Sequence, residues 1–187
     1  MGDSMSIVLQ STSGGSVTIN EPTTASNFTQ TLPAATGTVM VSGNMPAFSA
    51  YSTTNQTFTN NVALKITFDT EVFDTNSNFA SSRFTPTVAG YYQIDYSVYY
   101  NLNLCSQLTA GIWKNGARFL DSQNYYNGGS TITLGSNVQL VGTGLIYLNG
   151  TTDYLEIYAT LSIGGGSATT IGQSYITWFQ GALVRAA

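Results

Sequence analysis

The sequence predicts an all-β protein, built as a jelly-roll β-sandwich with a short β-stranded extension at its N-terminus. Three observations predict this class: apolar residues recur at every second position in many short segments, turn sequences separate those segments at nearly regular spacing, and no segment shows a convincing 3.6-residue period with helix caps. Many short strands with this spacing favour a sandwich or jelly roll over an α/β enzyme fold.

The first 45 residues are predicted to form an attachment segment of short strands, followed by a knob at residues 46–187. In this segment SIVLQ and SVTIN flank a Gly-Gly turn, and FTQTLP and GTVMVSG come after them. Each run is too short to fold alone. The predicted boundary lies between Gly43 and Pro46, which bracket a short polar link before the apolar run AFSAY.

The knob is predicted to be a continuous series of strands joined by tight turns. Asn115-Gly116 supplies the two positive-φ positions of a type I′ hairpin, and further Gly-rich turns separate later strands. The predicted strands are 47–51, 62–68, 78–84, 91–102, 107–114, 117–125, 130–140, 141–147, 153–161 and 175–184.

The run RFTPTVAGYYQIDYSV at residues 83–98 is the most informative part of the knob. Pro86 lacks an N–H and belongs at a strand edge or in a loop, and Gly90 allows a tight entry into the next strand. Residues two apart then fall on one face of that strand, which predicts a buried row. The members of this row are Tyr92, Ile94, Tyr96 and Val98.

This order resembles the C1q/TNF-like domain, whose pattern reads Phe-Thr/Ser-x-Pro-x-x-Gly-x-Tyr followed by alternating aromatic residues. Further landmarks follow in the family's order: FSA at 48–50, KNG at 114–116 and FQGAL at 179–183. The resemblance covers about residues 47–184 and implies a trimeric binding or structural module. The chain contains no Gly-X-Y collagen run, so the knob and the N-terminal strands must hold any trimer together.

A second resemblance concerns TLPAATGT at residues 31–38, which is similar to a TLPxxTGT segment found upstream of terminal domains in bacteriophage tail and fibre proteins. Charged residues make up only 7% of the chain, so its surface is polar but weakly charged. The N-terminus shows no signal-peptide pattern. These features together predict a virion component of bacteriophage type, made in the host cytoplasm.

The trimer interface is predicted from the surplus of large aromatic residues, which bury much area and, as Tyr, tolerate a wet interface. Leu155, Ile157 and Ala159 suit a core, whereas the opposite face of the same strand suits an interface. Any single tyrosine is equally compatible with a place in an enlarged core. The predicted interface residues are Tyr92, Tyr154, Tyr158 and Phe179.

The sequence predicts no enzymatic activity, because the most common general base is missing. There is no His, which removes the Ser-His-Asp triad and most zinc sites. Asp69, Glu71 and Asp74 lie close together in the sequence, and their carboxylate oxygens are candidate calcium ligands. The favoured interpretation is that they are solvated acids on a strand and a loop, so no cofactor is predicted. The five basic residues are scattered and no long apolar run occurs, so neither nucleic acid nor membrane insertion is predicted.

Three functions remain open on the sequence, of which a secreted bacterial C1q-like adhesin is disfavoured by the missing signal-peptide pattern. The first is a trimeric head-decoration (cement) or head-fibre protein, whose N-terminal segment docks on the major capsid protein or another virion protein. The second is the receptor-binding tip of a tail fibre, in which Tyr125 and Tyr126 face a host surface glycan or protein. Trp113 and Trp178 lie inside predicted strands, which favours core positions for both.

Overall fold

A computed structural model describes the greater part of the chain. The described residues are 7–20, 29, 31, 34, 39–126, 132–164 and 167–187, with the backbone alone at 42, 103, 122–126 and 132–136. The chain divides into two compact units, Met1–Gly37 and Thr38–Ala187. Residues 38–45 therefore belong to the second unit, whereas the sequence places them in the N-terminal segment. Met40 packs against the core of that unit, which accounts for the difference.

The first unit contains an antiparallel hairpin of β1 (Ile7–Gln10) and β2 (Ser16–Ile19). Its strands agree with the predicted runs SIVLQ and SVTIN. Every residue of both strands is exposed, so the hairpin leaves its apolar side chains in contact with solvent. Most of the predicted run FTQTLP and most of TLPAATGT lie outside the described residues.

Where the structure describes it, the second unit is all-β, as predicted, apart from one short 3-10 helix at Ser42–Asn44. Within the described residues, no helix is both long and apolar enough to cross a membrane. The strands are β3 (Ala47–Tyr51), β4 (Leu64–Lys65), β5 (Thr70–Asp74), β6 (Phe79–Ala80), β7 (Arg83–Phe84), β8 (Gly90–Lys114), β9 (Ala117–Tyr126), β10 (Ile132–Leu148), β11 (Leu155–Ile163), β12 (Thr169–Thr170) and β13 (Trp178–Ala186).

Strand β8 is long enough to take part in two layers of the sandwich. Its first half pairs with β10 and β13, and β3 and β5 extend this layer beyond β13. Its second half pairs with β9 and β11, and β11 also pairs with β4 and β7. The sequence predicts separate strands at 91–102 and 107–114, but the intervening residues continue the ladders, so the chain passes between layers without leaving the strand.

Two turns show how local sequence shapes these layers. Asn115 and Gly116 both have positive φ, at 55° and 77°, as the predicted hairpin between β8 and β9 requires. The predicted strand at 78–84 is instead the small hairpin β6–β7. Ser81 and Ser82 form its turn with φ of 51° and 58°.

The core lies between the two layers and is rich in aromatic rings. Phe48 stacks on Phe84 with ring centroids 4.3 Å apart and meets Phe179 edge-on at 4.8 Å. The predicted buried row is confirmed, because Tyr92, Ile94, Tyr96 and Val98 are all 0% exposed. Leu155, Ile157 and Ala159 are also buried, as their spacing predicts.

Two core tyrosines differ in their hydrogen bonding, which leads to a stability prediction. Tyr92 donates from its hydroxyl to the carbonyl oxygen of Val88 at 2.7 Å, and burial raises the pKa of Tyr92 to about 12. The buried hydroxyl of Tyr100 has no hydrogen-bond partner among the described residues. A buried polar group without a partner costs about 1–3 kcal/mol. We expect Tyr100→Phe to raise the unfolding midpoint by about 2–4 °C, measured by circular dichroism.

Tyr92→Phe is the matched control for that experiment, because it removes the same hydroxyl group at a position where that group makes a hydrogen bond. We expect this variant to lower the midpoint, because the carbonyl of Val88 loses its partner. Equal destabilisation by the two substitutions would contradict the assignment of Tyr100 as the unpaired hydroxyl.

Candidate functional site

An exposed apolar surface of the knob lies on the outward side of the β5-β3-β13-β8-β10 layer. It arises because β10 is apolar on both sides: Leu140, Ile146 and Leu148 are buried, whereas Val141 and Leu145 point outward and are 51% and 60% exposed. A strand that covers a core on one side and carries large apolar residues on the other is typical of a strand buried on both faces.

Cross-strand register extends this surface over neighbouring strands, because directly paired residues lie on one side of a sheet. Tyr147 lies opposite Tyr91, with ring centroids 5.5 Å apart, and both rings are exposed. At the far side of the layer, Phe73 on β5 is 48% exposed. We call this surface the apolar sheet face and define it by Phe73, Tyr91, Val141, Leu145 and Tyr147.

A polar cluster lies between the apolar residues of this face. Asp95 accepts hydrogen bonds from the Gln93 amide at 3.0 Å and from the Thr143 hydroxyl at 2.5 Å. Two shallow hollows flank Asp95, one extending to Phe73 and Ala182 and the other to Val141. Their volumes are about 240 and 320 Å³, which suits the side chains of a partner surface better than a large ligand.

The four predicted interface residues lie elsewhere in the structure. Tyr92 and Phe179 are 0% exposed within one chain, so the prediction that they form an interface is wrong: both side chains are already covered by the core. Tyr158 lies on β11 and Tyr154 immediately precedes it, in the other layer of the sandwich. Both side chains are half-buried. They do not lie on the apolar sheet face.

Tyr154 and Tyr158 instead contact neighbours on the outward side of their own layer. The guanidinium of Arg83 lies 3.8 Å from the centre of the Tyr154 ring. The ring of Tyr158 stacks on Trp113 with centroids 4.1 Å apart. Trp113 and Trp178 are both half-buried, so the sequence interpretation that favoured core positions for them is wrong.

Tyr125 and Tyr126 end β9, opposite Leu108 and Gln107, and their side chains lie outside the described part of the structure. Their predicted role toward a ligand stays a prediction.

The acidic residues proposed as calcium ligands make separate hydrogen bonds. Asp69 accepts hydrogen bonds from the backbone N–H and the hydroxyl of Thr53. Burial by itself raises the pKa of Asp69, but these bonds and those from the hydroxyls of Thr54 and Thr70 outweigh burial, so the pKa lies below its ordinary value. Asp74 accepts from the backbone N–H of Phe79, and Glu71 is exposed. Among the residues that the structure describes, no three His, Cys, Asp or Glu side chains are grouped to hold a metal ion.

Comparison with solved structures identifies the architecture. The chain is similar to the globular domain of zebrafish complement 1qA protein, with a TM-score of 0.53 and 17% identity over 76% of this chain and 99% of that chain. It is also similar to murine APRIL, with a TM-score of 0.53 and 9% identity over 75% of this chain and 99% of that chain. The fold is the C1q/TNF-like jelly roll. At these identities the likeness shows the fold alone.

Sequence comparisons add nothing to this assignment, since no family model and no curated protein matches the chain. The C1q/TNF-like fold confirms the expectation drawn from RFTPTVAGYYQIDYSV and the landmarks around it. The apolar sheet face was missed at the sequence level, although the apolar residues on both sides of β10 were its signal.

Proposed function

We propose that this protein is a non-enzymatic structural component of a virion: a homotrimeric head-decoration (cement) or head-fibre protein. In this proposal the N-terminal unit docks on the major capsid protein or another virion protein, and the C1q/TNF-like knob projects outward. Three knobs associate through the apolar sheet face. A trimer also matches the local three-fold positions of a capsid lattice.

The observation that carries the attachment step is the exposure of the N-terminal hairpin. Ile7, Leu9, Val17 and Ile19 are between 54% and 63% exposed, on strands of only four residues each. An isolated two-stranded hairpin is marginally stable in water, and its open edges can pair with a strand of another protein. The TLPAATGT segment, which follows the hairpin in the sequence, resembles sequences of phage tail and fibre proteins.

The observation that supports trimerisation is the apolar sheet face. Its five defining residues expose between 42% and 60% of their surface, and large exposed apolar patches mark interaction sites. The hollows beside Asp95 offer recesses for side chains of a second copy. The Asp95 cluster is already hydrogen-bonded within one chain, which reduces the cost of covering it.

Immunogold electron microscopy of purified virions, with antibody raised against residues 46–187, tests the location. We expect gold over the head. Gold at the tail tip would instead support the second candidate, a receptor-binding tip that recognises a host surface glycan or protein. A polar pocket on the knob, lined by Lys65 and Arg83, favours that candidate. Unlabelled particles would contradict both.

A deletion of residues 1–37 tests the attachment step, because it removes the first compact unit and leaves the second intact. We expect the shortened protein to remain trimeric but to fail to cosediment with virions that lack the full-length protein. The control is the full-length chain on the same particles. Binding by the shortened protein would contradict docking through the N-terminal unit.

A further inference from the structure

A surface pocket of about 430 Å³ lies beside β4 and the β6–β7 hairpin, in the β9-β8-β11 layer and away from the apolar sheet face. Two cationic side chains, Lys65 and Arg83, line it together with the polar residues Ser77, Ser81 and Thr85. The chain has only five Lys and Arg residues in total, so two of them at one pocket of an acidic protein form an unusual concentration of positive charge.

A buried carboxylate holds the two cations in place. The Glu156 side chain is 3% exposed, and its Oε1 accepts from Lys65 Nζ at 2.7 Å and from Arg83 Nε at 2.9 Å. Burial raises the pKa of Glu156, but its hydrogen bonds with Lys65 and Arg83 outweigh burial and lower it. Glu156 therefore stays ionised, and two cations against one anion leave one positive charge at the pocket.

Much of the hydrogen-bonding capacity of this pocket is unused within the chain. Arg83 donates its Nε–H to Glu156, and its guanidinium lies 3.8 Å from the centre of the Tyr154 ring. Among the described residues its terminal nitrogens make no hydrogen bond, and its side chain is 43% exposed. Lys65 donates two hydrogen bonds from its Nζ, one to Glu156 and one to the carbonyl oxygen of Ser81. In the same described part of the chain, the hydroxyls of Ser77, Ser81 and Thr85 make no side-chain hydrogen bond.

The backbone around the pocket adopts an uncommon conformation that brings these groups together. Ser77 and Ser81 both have φ in the left-handed region, at 54° and 51°. Residues other than Gly reach this region rarely and at a cost that the surrounding structure must offset. Here the Ser81 carbonyl is held by Lys65, so the strained turn and the cation position each other.

From these observations we propose that the pocket is a binding site for an acidic saccharide, with the sugar carboxylate paired to Arg83 and Lys65 and ring hydroxyls bonded to Ser77, Ser81 and Thr85. The free edge of a guanidinium offers two parallel N–H groups, which match a carboxylate, and Lys65 adds a point charge. The single excess positive charge fits one carboxylate.

The chemistry favours a sugar acid over a bare anion. Three serine and threonine hydroxyls beside the cations can each donate and accept, as hydroxyl-rich ligands require. A volume of about 430 Å³ lies within the range of small-molecule sites and exceeds what a lone anion fills. Every residue belongs to one chain, so this site does not depend on trimerisation or on where the protein lies in a virion.

Methyl β-D-glucuronide and methyl β-D-glucoside form a matched ligand pair, because they differ only at C6, where the glucuronide has a carboxylate and the glucoside has a hydroxymethyl group. Each is titrated into isotope-labelled full-length protein, and amide resonances are followed by NMR. We expect the glucuronide to shift resonances of residues 65 and 77–85 and to bind more weakly when NaCl rises from about 20 to about 500 mM. Equal binding of the glucoside, or shifts confined to another region, would overturn the proposal.

Arg83→Gln removes the guanidinium, and we expect it to weaken glucuronide binding by about tenfold to a hundredfold. Arg118→Gln is the control, since Arg118 is an exposed arginine elsewhere in the chain. Thr85→Val removes one hydroxyl and keeps the charge, so it tests the site even if Arg83→Gln fails to fold; we expect weaker glucuronide binding. Unchanged binding in Thr85→Val, or acetate binding as tightly as the glucuronide, would contradict saccharide recognition.

Discussion

Leu145→Arg is expected to convert the proposed trimer into monomers. Leu145 is 60% exposed in one chain, so an arginine at this position fits the isolated knob without disturbing its core. In the proposed trimer a second copy covers the same position, so each trimer would have to accommodate three long cationic side chains where three leucines pack. The added bulk prevents close packing of the two surfaces, and covering a charged side chain costs free energy that the exposed leucine does not.

Sedimentation velocity and light scattering of the full-length protein at about 10 μM measure this effect, at a concentration where an interface with micromolar or tighter affinity is populated. The chain mass is 19.9 kDa, so the trimer and monomer are well separated. Val62→Arg is the matched control, because Val62 is also apolar and 51% exposed but does not belong to the apolar sheet face. A wild-type monomer, or a trimer that survives Leu145→Arg, would contradict the assigned interface.

Removing both cations beside Glu156 is expected to destabilise the knob by about 3–5 kcal/mol, the cost of a buried charge without its partners. Lys65→Met or Arg83→Met alone should cost less, because the other cation still contacts the same Oε1 atom. The double variant leaves a nearly inaccessible carboxylate without an opposite charge. Urea denaturation of the single and double variants measures the difference.

Adding Glu156→Met to the double variant is the decisive control, since it removes the buried charge itself. We expect the triple variant to recover most of the lost stability, because apolar groups can replace a buried ionic cluster at little cost. Arg118→Met should change stability by about 0.5 kcal/mol or less, because its pair with Asp121 is exposed. A double variant as stable as wild type would contradict the role of the two cations.

The same cluster predicts how stability changes with pH. Hydrogen bonds from Lys65 and Arg83 outweigh burial and place the folded-state pKa of Glu156 below its ordinary value of 4.5. The ionised group therefore stabilises the fold above that ordinary value, and this contribution is lost as the pH falls through the lowered pKa. In the triple variant, which lacks Glu156, the loss of stability with acid should be smaller.

Much of the fold could be predicted from local patterns, because these act over a few residues. Alternation at period two places Tyr92 and Ile94 on one side of β8, and their burial follows wherever that strand lies in the sheet. Asn115 and Gly116 favour the hairpin turn because both residues readily adopt the positive φ that this turn requires. The sequence by itself therefore determined the fold class, the main core residues and several turns.

The tertiary structure decided which side chains meet across the molecule. Glu156 contacts Lys65 and Arg83, which lie 91 and 73 residues away in the chain, and no local pattern encodes that pairing. Phe179 lies in the core because β13 pairs between β3 and β8, and a strand's alternation does not say which of its two sides is covered. The candidate interface and the cationic pocket depend on such long-range pairings, so only the folded chain shows them.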